Sequence, residues 1–512
     1  MNTIHPVPGP TRHRRLPWRP ALLLLSPLVL PAAPENVLFI AIDDLRPELG
    51  CYGAAHIKSP HLDRLAATGM VFERAYCQLA VCTPSRASLF TGKRPDTLRV
   101  WHLRDDFRRN TPAIETLPQF LQTRGYVTQS LGKVLDPYDP VSWTVKTARD
   151  PAKAGISDAA MKYADLKTRR EVQAEYDAAV AAGLTGIKFE RAARGPAFER
   201  ADVPDNAYGD GRLAEDAQAA LRALHGRKQP FFLAVGFGKP HLPFNAPAKY
   251  WNLYDPAALP PLTNDYHPLK APWFALGRSA EFHGYDDTGI GHVPPAEAAN
   301  LRHAYYACIS YVDAQVGRLL AELERLNLAA TTLVVVWGDH GYKLGEHDQW
   351  GKSTNVELDT RVPLIMRIPG RPAGQRTRAL VEVVDLFPTL AGALGQVAPA
   401  DLEGISLLPL FEQPARPWKT AAFSQYPRHT HGDELELREW NLMGRSIRTG
   451  RYRFTRWDSM ANPGRVEGVE LYDHETDPGE NQNLAHESGA QSLVRDLSQQ
   501  LDRGWRAALS PR

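Results

Sequence analysis

The sequence predicts an α/β protein, with a large, mostly parallel central sheet flanked by helices and a small antiparallel sheet toward the carboxyl terminus. Three observations predict it. The runs Asn36–Ile42, Phe231–Phe237 and Leu333–Trp337 are rich in β-branched and aromatic residues without polar alternation, so each reads as a strand buried on both faces. Each run gives way at once to a polar or glycine-containing loop, and helical patterns separate the runs, as parallel strands require. Beyond the proline-bounded stretch Pro414–Trp418 the pattern changes to short strands joined by turns.

At 512 residues the chain is long enough to bury a large core. Its 60 Lys and Arg against 58 Asp and Glu leave no global field directed at nucleic acid or acidic membranes. Four cysteines, at positions 51, 77, 82 and 308, are too few for a disulfide-stapled scaffold and do not decide the compartment. The amino terminus says more. Arg12, His13, Arg14, Arg15 and Arg19 precede the apolar run Ala21–Leu30, and the small residues Ala32 and Ala33 follow. That order describes a secretory signal peptide over residues 1–33, with an uncleaved anchor as the other reading. The run is short for a membrane span, so the expected location is secreted or periplasmic, without stable membrane association.

Taken in order, Asn36–Ile42 is a central strand that ends on Asp43 and Asp44. Ser59 and Pro60 start a helix whose apolar face is Leu62, Leu65 and Ala66. Val71–Tyr76 is a short strand that delivers the chain to Cys82, and a helix follows with Arg86 in its first turn. Thr116–Tyr126 reads as a helix ended by Gly125, and Val127–Leu131 as a strand leading to Gly132-Lys133-Val134. Residues 145–200, rich in Ala, Lys, Arg and Glu, read as a helical insertion, either shaping substrate access or forming a plain surface excursion. Phe231–Phe237 ends on Gly238-Lys239-Pro240-His241. Ala304–Leu326 is a long helix, Leu333–Trp337 a third buried strand ending on Asp339 and His340, and Lys352 follows a short loop later. Val362–Pro369 is a strand and Glu382–Leu394 a helix. Ala422–Tyr426, Ser446–Arg448 and Tyr452–Trp457 form the small sheet, and Ser492–Leu509 a terminal helix. The expected division is 34–415 for the main domain and 416–512 for an α+β subdomain.

Residues at the carboxyl ends of parallel strands converge, and ligands of open α/β sheets bind there. Adjacent carboxylates such as Asp43 and Asp44 repel each other unless a cation neutralises them, and a hard divalent ion with oxygen ligands suits them. Alone, the pair reads equally as a solvated turn or helix cap. Lys133, and the pair Lys239 and His241, bring cationic groups to the same level. Asp339 and His340 add ligands for a metal, with glycines allowing close approach.

Cys82-Thr83-Pro84-Ser85-Arg86, followed by Leu89-Phe90-Thr91-Gly92-Lys93, resembles the maturation signature of the cysteine-type sulfatases. Further resemblance lies in Asp43-Asp44-Leu45-Arg46-Pro47, Gly132-Lys133-Val134, Lys239-Pro240-His241, Asp339-His340-Gly341 and Leu344-Gly345-Glu346-His347. It runs from Asn36 to about Leu484, and implies an alkaline-phosphatase-like sulfatase fold. In that family the cysteine is oxidised to formylglycine by a formylglycine-generating enzyme, and the hydrated aldehyde is the nucleophile. The resemblance implies one Ca²⁺ held by Asp43, Asp44, Asp339, His340 and an oxygen of matured residue 82. It gives Arg86 the task of stabilising the hydrate, Lys133 and Lys352 that of gripping sulfate oxygens, and His241 that of contacting sulfate and either stabilising developing charge or helping to protonate the leaving oxygen. One geminal hydroxyl would attack sulfur, and the other would then expel sulfate and regenerate the aldehyde.

The implied activity is sulfate-ester hydrolysis on a sulfated sugar, in particular the 2-O-sulfate of a uronic acid in a glycosaminoglycan or similar polysaccharide. Two positions depart from the relatives: Asp136 stands where they usually carry a histidine, and Phe237-Gly238 replaces an aromatic-histidine pair. Other readings are a phosphoester or phosphonate hydrolase of the same superfamily and, if Cys82 is not matured, a sulfated-sugar-binding protein without turnover.

Overall fold

Among the described residues, eight strands form the central sheet. They are β1 (Asn36–Ile42), β2 (Met70–Tyr76), β3 (Val127–Gly132), β4 (Phe231–Phe237), β5 (Thr332–Gly338), β6 (Arg361–Val362), β7 (Leu364–Arg367) and β8 (Gln375–Glu382). The computed structural model describes residues 34–146, 157–185, 188, 189, 192, 194–277, 279–289, 291–429 and 440–509, with seven more near the amino terminus. Most of the expected signal peptide and residues 147–156 of the expected insertion lie outside the described residues. Among those described, no helix is long and apolar enough to cross a membrane.

The strand order is β6-β2-β7-β5-β1-β4-β3, with β8 beside β2. Strands β3, β4, β1 and β5 are parallel neighbours, and only β6 and β7 run against the rest. Alternate residues of the central strands point to opposite faces and fill two cores. Leu38, Ile40, Val235 and Val336 lie in one, covered by α6 (Pro295–Arg325). Val37, Phe39, Ala234 and Trp337 lie in the other, with Phe90 of α2 (Cys82–Thr91) 5.4 Å from Phe39 between ring centres.

Register places the site. Ile42 pairs with Phe237 on one side and with Gly338 on the other. Asp43, Gly238 and Asp339 therefore leave the sheet side by side at one level. Lys133 joins them because β3 pairs Gly132 with Gly236. A side chain at Gly236 would collide with the Lys133 backbone, so only glycine permits this approach.

Among the differences from the sequence reading, three concern the central sheet and the helix that covers it. The long helix starts at Pro295, with Pro at its first turn and Ala298 and Leu301 already buried. The strand expected over 362–369 is cut by Pro363, which has no N–H for a ladder. Strand β8 lacks a readable pattern because Gln375, Arg376 and Arg378 leave it half exposed and its register shifts between Thr377 and Leu380.

Strands β9 (Ala421–Arg428), β10 (Leu442–Thr449), β11 (Tyr452–Ser459) and β12 (Val466–Asp473) form an antiparallel meander. The terminal helix (Gln491–Ala507) packs Leu497 and Leu501 against it. In this sheet Glu470 is buried and accepts hydrogen bonds from Trp457 Nε1 at 2.7 Å and Tyr472 Oη at 2.8 Å. Burial outweighs these bonds and pushes its carboxyl up to about 7. The folded chain thus holds a proton that the unfolded chain releases near 4.5, so this contribution is full below that value and fades as pH rises to about 7. Thermal melts should show Glu470→Gln flattening that decline, by on the order of 3 kcal/mol across the window. An unchanged slope would show that Glu470 is ionised throughout.

Candidate active site

Cys82 opens α2, and the whole helix is buried. No amphipathic stripe exists because apolar layers and the site enclose it on all sides. Cys82 Sγ lies 3.4 Å from Asp43 Oδ1, 3.3 Å from His340 Nε2 and 3.3 Å from Lys133 Nζ, with Lys352 Nζ at 3.8 Å. The strand ends thus deliver three clusters onto one thiol. Burial, and then the Asp43 charge, push that thiol well above its ordinary value, so it is protonated and a poor thiolate nucleophile as it stands.

Arg86 sits in the second turn of α2, one turn later than the sequence suggested, and is fully buried. Its Nη2 donates to Asp43 Oδ1 at 3.0 Å and its Nε to Asp339 Oδ2 at 2.9 Å, while Nη1 reaches the carbonyls of Lys133 and Val134. One guanidinium therefore ties two strand ends together. Asp339 Oδ1 in turn accepts from the backbone N–H of Asp44 at 3.1 Å and of His340 at 3.0 Å.

Lys133 pairs with Asp43 at 2.7 Å and Lys352 with Asp44 at 2.8 Å. Burial alone would raise the Asp43 carboxyl, but Lys133, His241, Arg86 and Lys352 together hold it well below the usual range. Asp43, Cys82, Asp339 and His340 offer ligand atoms within 4.8 Å of one another, a spacing that could hold a metal ion. His340 Nδ1 lies 3.0 Å from the Gly341 carbonyl, which accepts its N–H and leaves the Nε2 lone pair facing the cluster. Carboxylate oxygens with one imidazole make a set suited to a hard divalent cation.

His241 reaches the same space, with Nε2 4.0 Å from Asp44 Oδ2 and Nδ1 2.8 Å from the Leu242 carbonyl. Lys239 does not. Its ammonium turns to the carbonyls of His241 and Pro243, while its N–H and that of Gly238 bond Asp210, so it fixes the strand-end loop. Asp136 is half-buried and forms no hydrogen bond or ion pair among the described residues.

The sequence reading gave no role to two residues, Glu281 and Arg428. Glu281 places Oε1 3.2 Å from His241 Nε2 and Oε2 3.3 Å from Lys352 Nζ. It arrives on a segment with neither strand nor helix periodicity, so no sequence signal marks it. Arg428, at the end of β9, donates to the Phe274 carbonyl at 3.1 Å and the Ser353 carbonyl at 2.5 Å. It thereby ties the small sheet to the loop bearing Lys352 and to the segment leading to Glu281.

Comparison with known proteins extends this geometry. A family model described as Sulfatase matches residues 35–396, and one described as N-sulphoglucosamine sulphohydrolase, C-terminal, matches residues 345–506. The chain is 33% identical to iduronate 2-sulfatase of Homo sapiens over 539 residues, covering 90% of this chain and 93% of that relative. A structure solved in complex with its substrate D-glucosamine-2-N,6-O-disulfate superposes with a TM-score of 0.72 at 20% identity, covering 92% of this chain and 97% of the other. The phosphonate monoester hydrolase of Silicibacter pomeroyi superposes at 0.69 and 24% identity, covering 93% and 96%. At these identities the two structures establish the shared fold alone.

Proposed function

The chain belongs to the sulfatase family and is a sulfuric ester hydrolase, and from that premise we propose that it removes the 2-O-sulfate of a uronic acid in a glycosaminoglycan or related polysaccharide. The observation that carries the chemistry is Cys82, held at a buried helix start within 3.4 Å of Asp43, His340 and Lys133. The choice of sugar rests on the 33% identity to iduronate 2-sulfatase across nearly both lengths.

Asp43, Asp339, His340 and an oxygen of residue 82 would hold one Ca²⁺, with Asp44, whose Oδ1 lies 3.4 Å from His340 Nε2, as a further ligand. Formylglycine made from Cys82 by a formylglycine-generating enzyme would supply the nucleophilic oxygen, and the ion would lower the cost of ionising it. The remaining work falls to side chains already in place. Lys133 and Lys352 both reach position 82, so each can donate to a sulfate held there and neutralise charge as it develops. Arg86 fixes Asp43 and Asp339 in one geometry and adds a positive charge behind the nucleophile. His241, whose Nδ1 lies against the Leu242 carbonyl and whose Nε2 faces Glu281 and Asp44, would as an imidazolium give the leaving sugar oxygen a proton. The basic leader followed by a short apolar run supports export to the periplasm or outside the cell.

The test is co-expression with a formylglycine-generating enzyme, a peptide mass for residue 82, and an assay on uronides sulfated at single positions. The expected result is an aldehyde at residue 82 and release of 2-O-sulfate that is lost with a chelator and restored by Ca²⁺. Hydrolysis confined to other sulfate positions would overturn the choice of sugar. An unmodified thiol would overturn the mechanism.

A further inference from the structure

Glu281 adds a carboxylate beside His241 and Lys352 to a pocket in which Lys133 and Lys352 already pair with Asp43 and Asp44. It is held there by several bonds. The Trp350 N–H donates to Ser279 Oγ at 2.8 Å, Arg194 Nη1 donates to the Glu281 carbonyl at 2.6 Å, and the Phe282 ring stacks on Trp350 with centres 5.2 Å apart. Its side chain remains 31% exposed, so the carboxylate faces open space rather than packed core. Burial opposes its charge, but Lys352, His241 and Arg194 outweigh that and hold it well below the usual carboxylate range.

We propose that Glu281 is a specificity residue that sets the charge of the anion pocket, favouring a monoanionic sulfate ester over a dianionic phosphate monoester. The proposal rests on the sulfatase reading of the pocket. Sulfuryl and phosphoryl groups share a tetrahedral shape, and the shared fold does not separate them. Charge does, because a phosphate monoester carries a second negative charge above its second pKa near 6. Arg86, Lys133, Lys352 and His241 alone would attract the dianion more strongly. A fixed carboxylate between His241 and Lys352 subtracts from that attraction once for every charge on the ligand. At roughly 6–12 Å and an effective dielectric of about 20, one extra charge costs roughly 10- to 100-fold in affinity.

The experiment compares matured wild type, Glu281→Gln and Glu281→Asp on 4-nitrophenyl sulfate and 4-nitrophenyl phosphate near pH 8, where phosphate is dianionic. Each value is kcat/KM, or Ki against a sulfated uronide where an ester binds without turnover. The sulfate-to-phosphate ratio is taken within one preparation, so incomplete folding or maturation cancels. The expected result is a ratio lowered roughly 10- to 100-fold in Glu281→Gln and kept within about threefold of wild type in Glu281→Asp, which retains the charge. A ratio unchanged in Glu281→Gln, or lowered equally in both variants, would overturn the proposal. Failure of the matured wild type to hydrolyse any sulfate ester would overturn the sulfatase reading and this proposal with it.

Discussion

Cys82→Ala should lower sulfate-ester hydrolysis by about 10⁴-fold or more while leaving the fold intact, because loss of a nucleophile removes a covalent route that binding alone does not replace. The thiol contributes little to packing. Its neighbours are Asp43, His340 and Lys133, so a methyl group there costs less stability than it would in an apolar core. The informative companion is Cys82→Ser. Serine offers one hydroxyl where an aldehyde hydrate offers two, so it can take a sulfuryl group yet has no second hydroxyl with which to expel it. We expect product release limited to one equivalent or less, with a mass gain of one SO₃ on the peptide carrying residue 82. Steady turnover by Cys82→Ser would mean that water attacks sulfur directly, and the hydrate mechanism would fall.

Arg86→Met should produce the second large effect, and here stability and activity fall together. Arg86 is fully buried against Asp43 and Asp339, both also buried. Removing one member of a buried ion cluster leaves uncompensated charge, which costs about 3–5 kcal/mol. Added Ca²⁺ should recover part of the lost melting temperature, since a cation between the same carboxylates replaces some of the missing charge. Activity should stay low even then, because the geometry linking the two strand ends is gone. A variant as stable as wild type without metal would show that Asp43 and Asp339 find other partners.

Much of this centre was legible because parallel strands impose a rule. A buried run ends, and the next residues must face the same crevice. Asp43, Lys133, Asp339 and His340 could be placed from the three apolar runs and the strand leading to Lys133, and the structure brings all four within 4.8 Å of Cys82. His241 follows from the same rule, but its neighbour Lys239 does not. The tally of cations at a strand end carries no information on which ammonium turns back to backbone carbonyls. Glu281 was not legible for a different reason. It arrives on irregular chain, where periodicity is absent, whereas Arg428 ends a readable strand and only its acceptors, far away in sequence, could not be read. The insertion helix Leu166–Ala181 appeared as expected, with only Val172 and Ala179 buried, since an exposed helix keeps its composition signature.

The tie made by Arg428 has a consequence for how such proteins can be recombined. Among the described residues the small sheet contributes no group that contacts residue 82, so exchanging it between homologues looks harmless. Yet its β9 strand carries the donor that fixes both the Lys352 loop and the segment bearing Glu281. A chimaera joined near position 415 would inherit its nucleophile from one parent and the anchorage of its pocket wall from the other. Such hybrids, provided that the buried pairs of Lys419 with Glu382 and of Arg453 with Glu357 match across the joint, should still lose selectivity unless residues 272–281 and 352–353 are transplanted with the sheet. Three stretches distant in sequence would then be inherited as one trait.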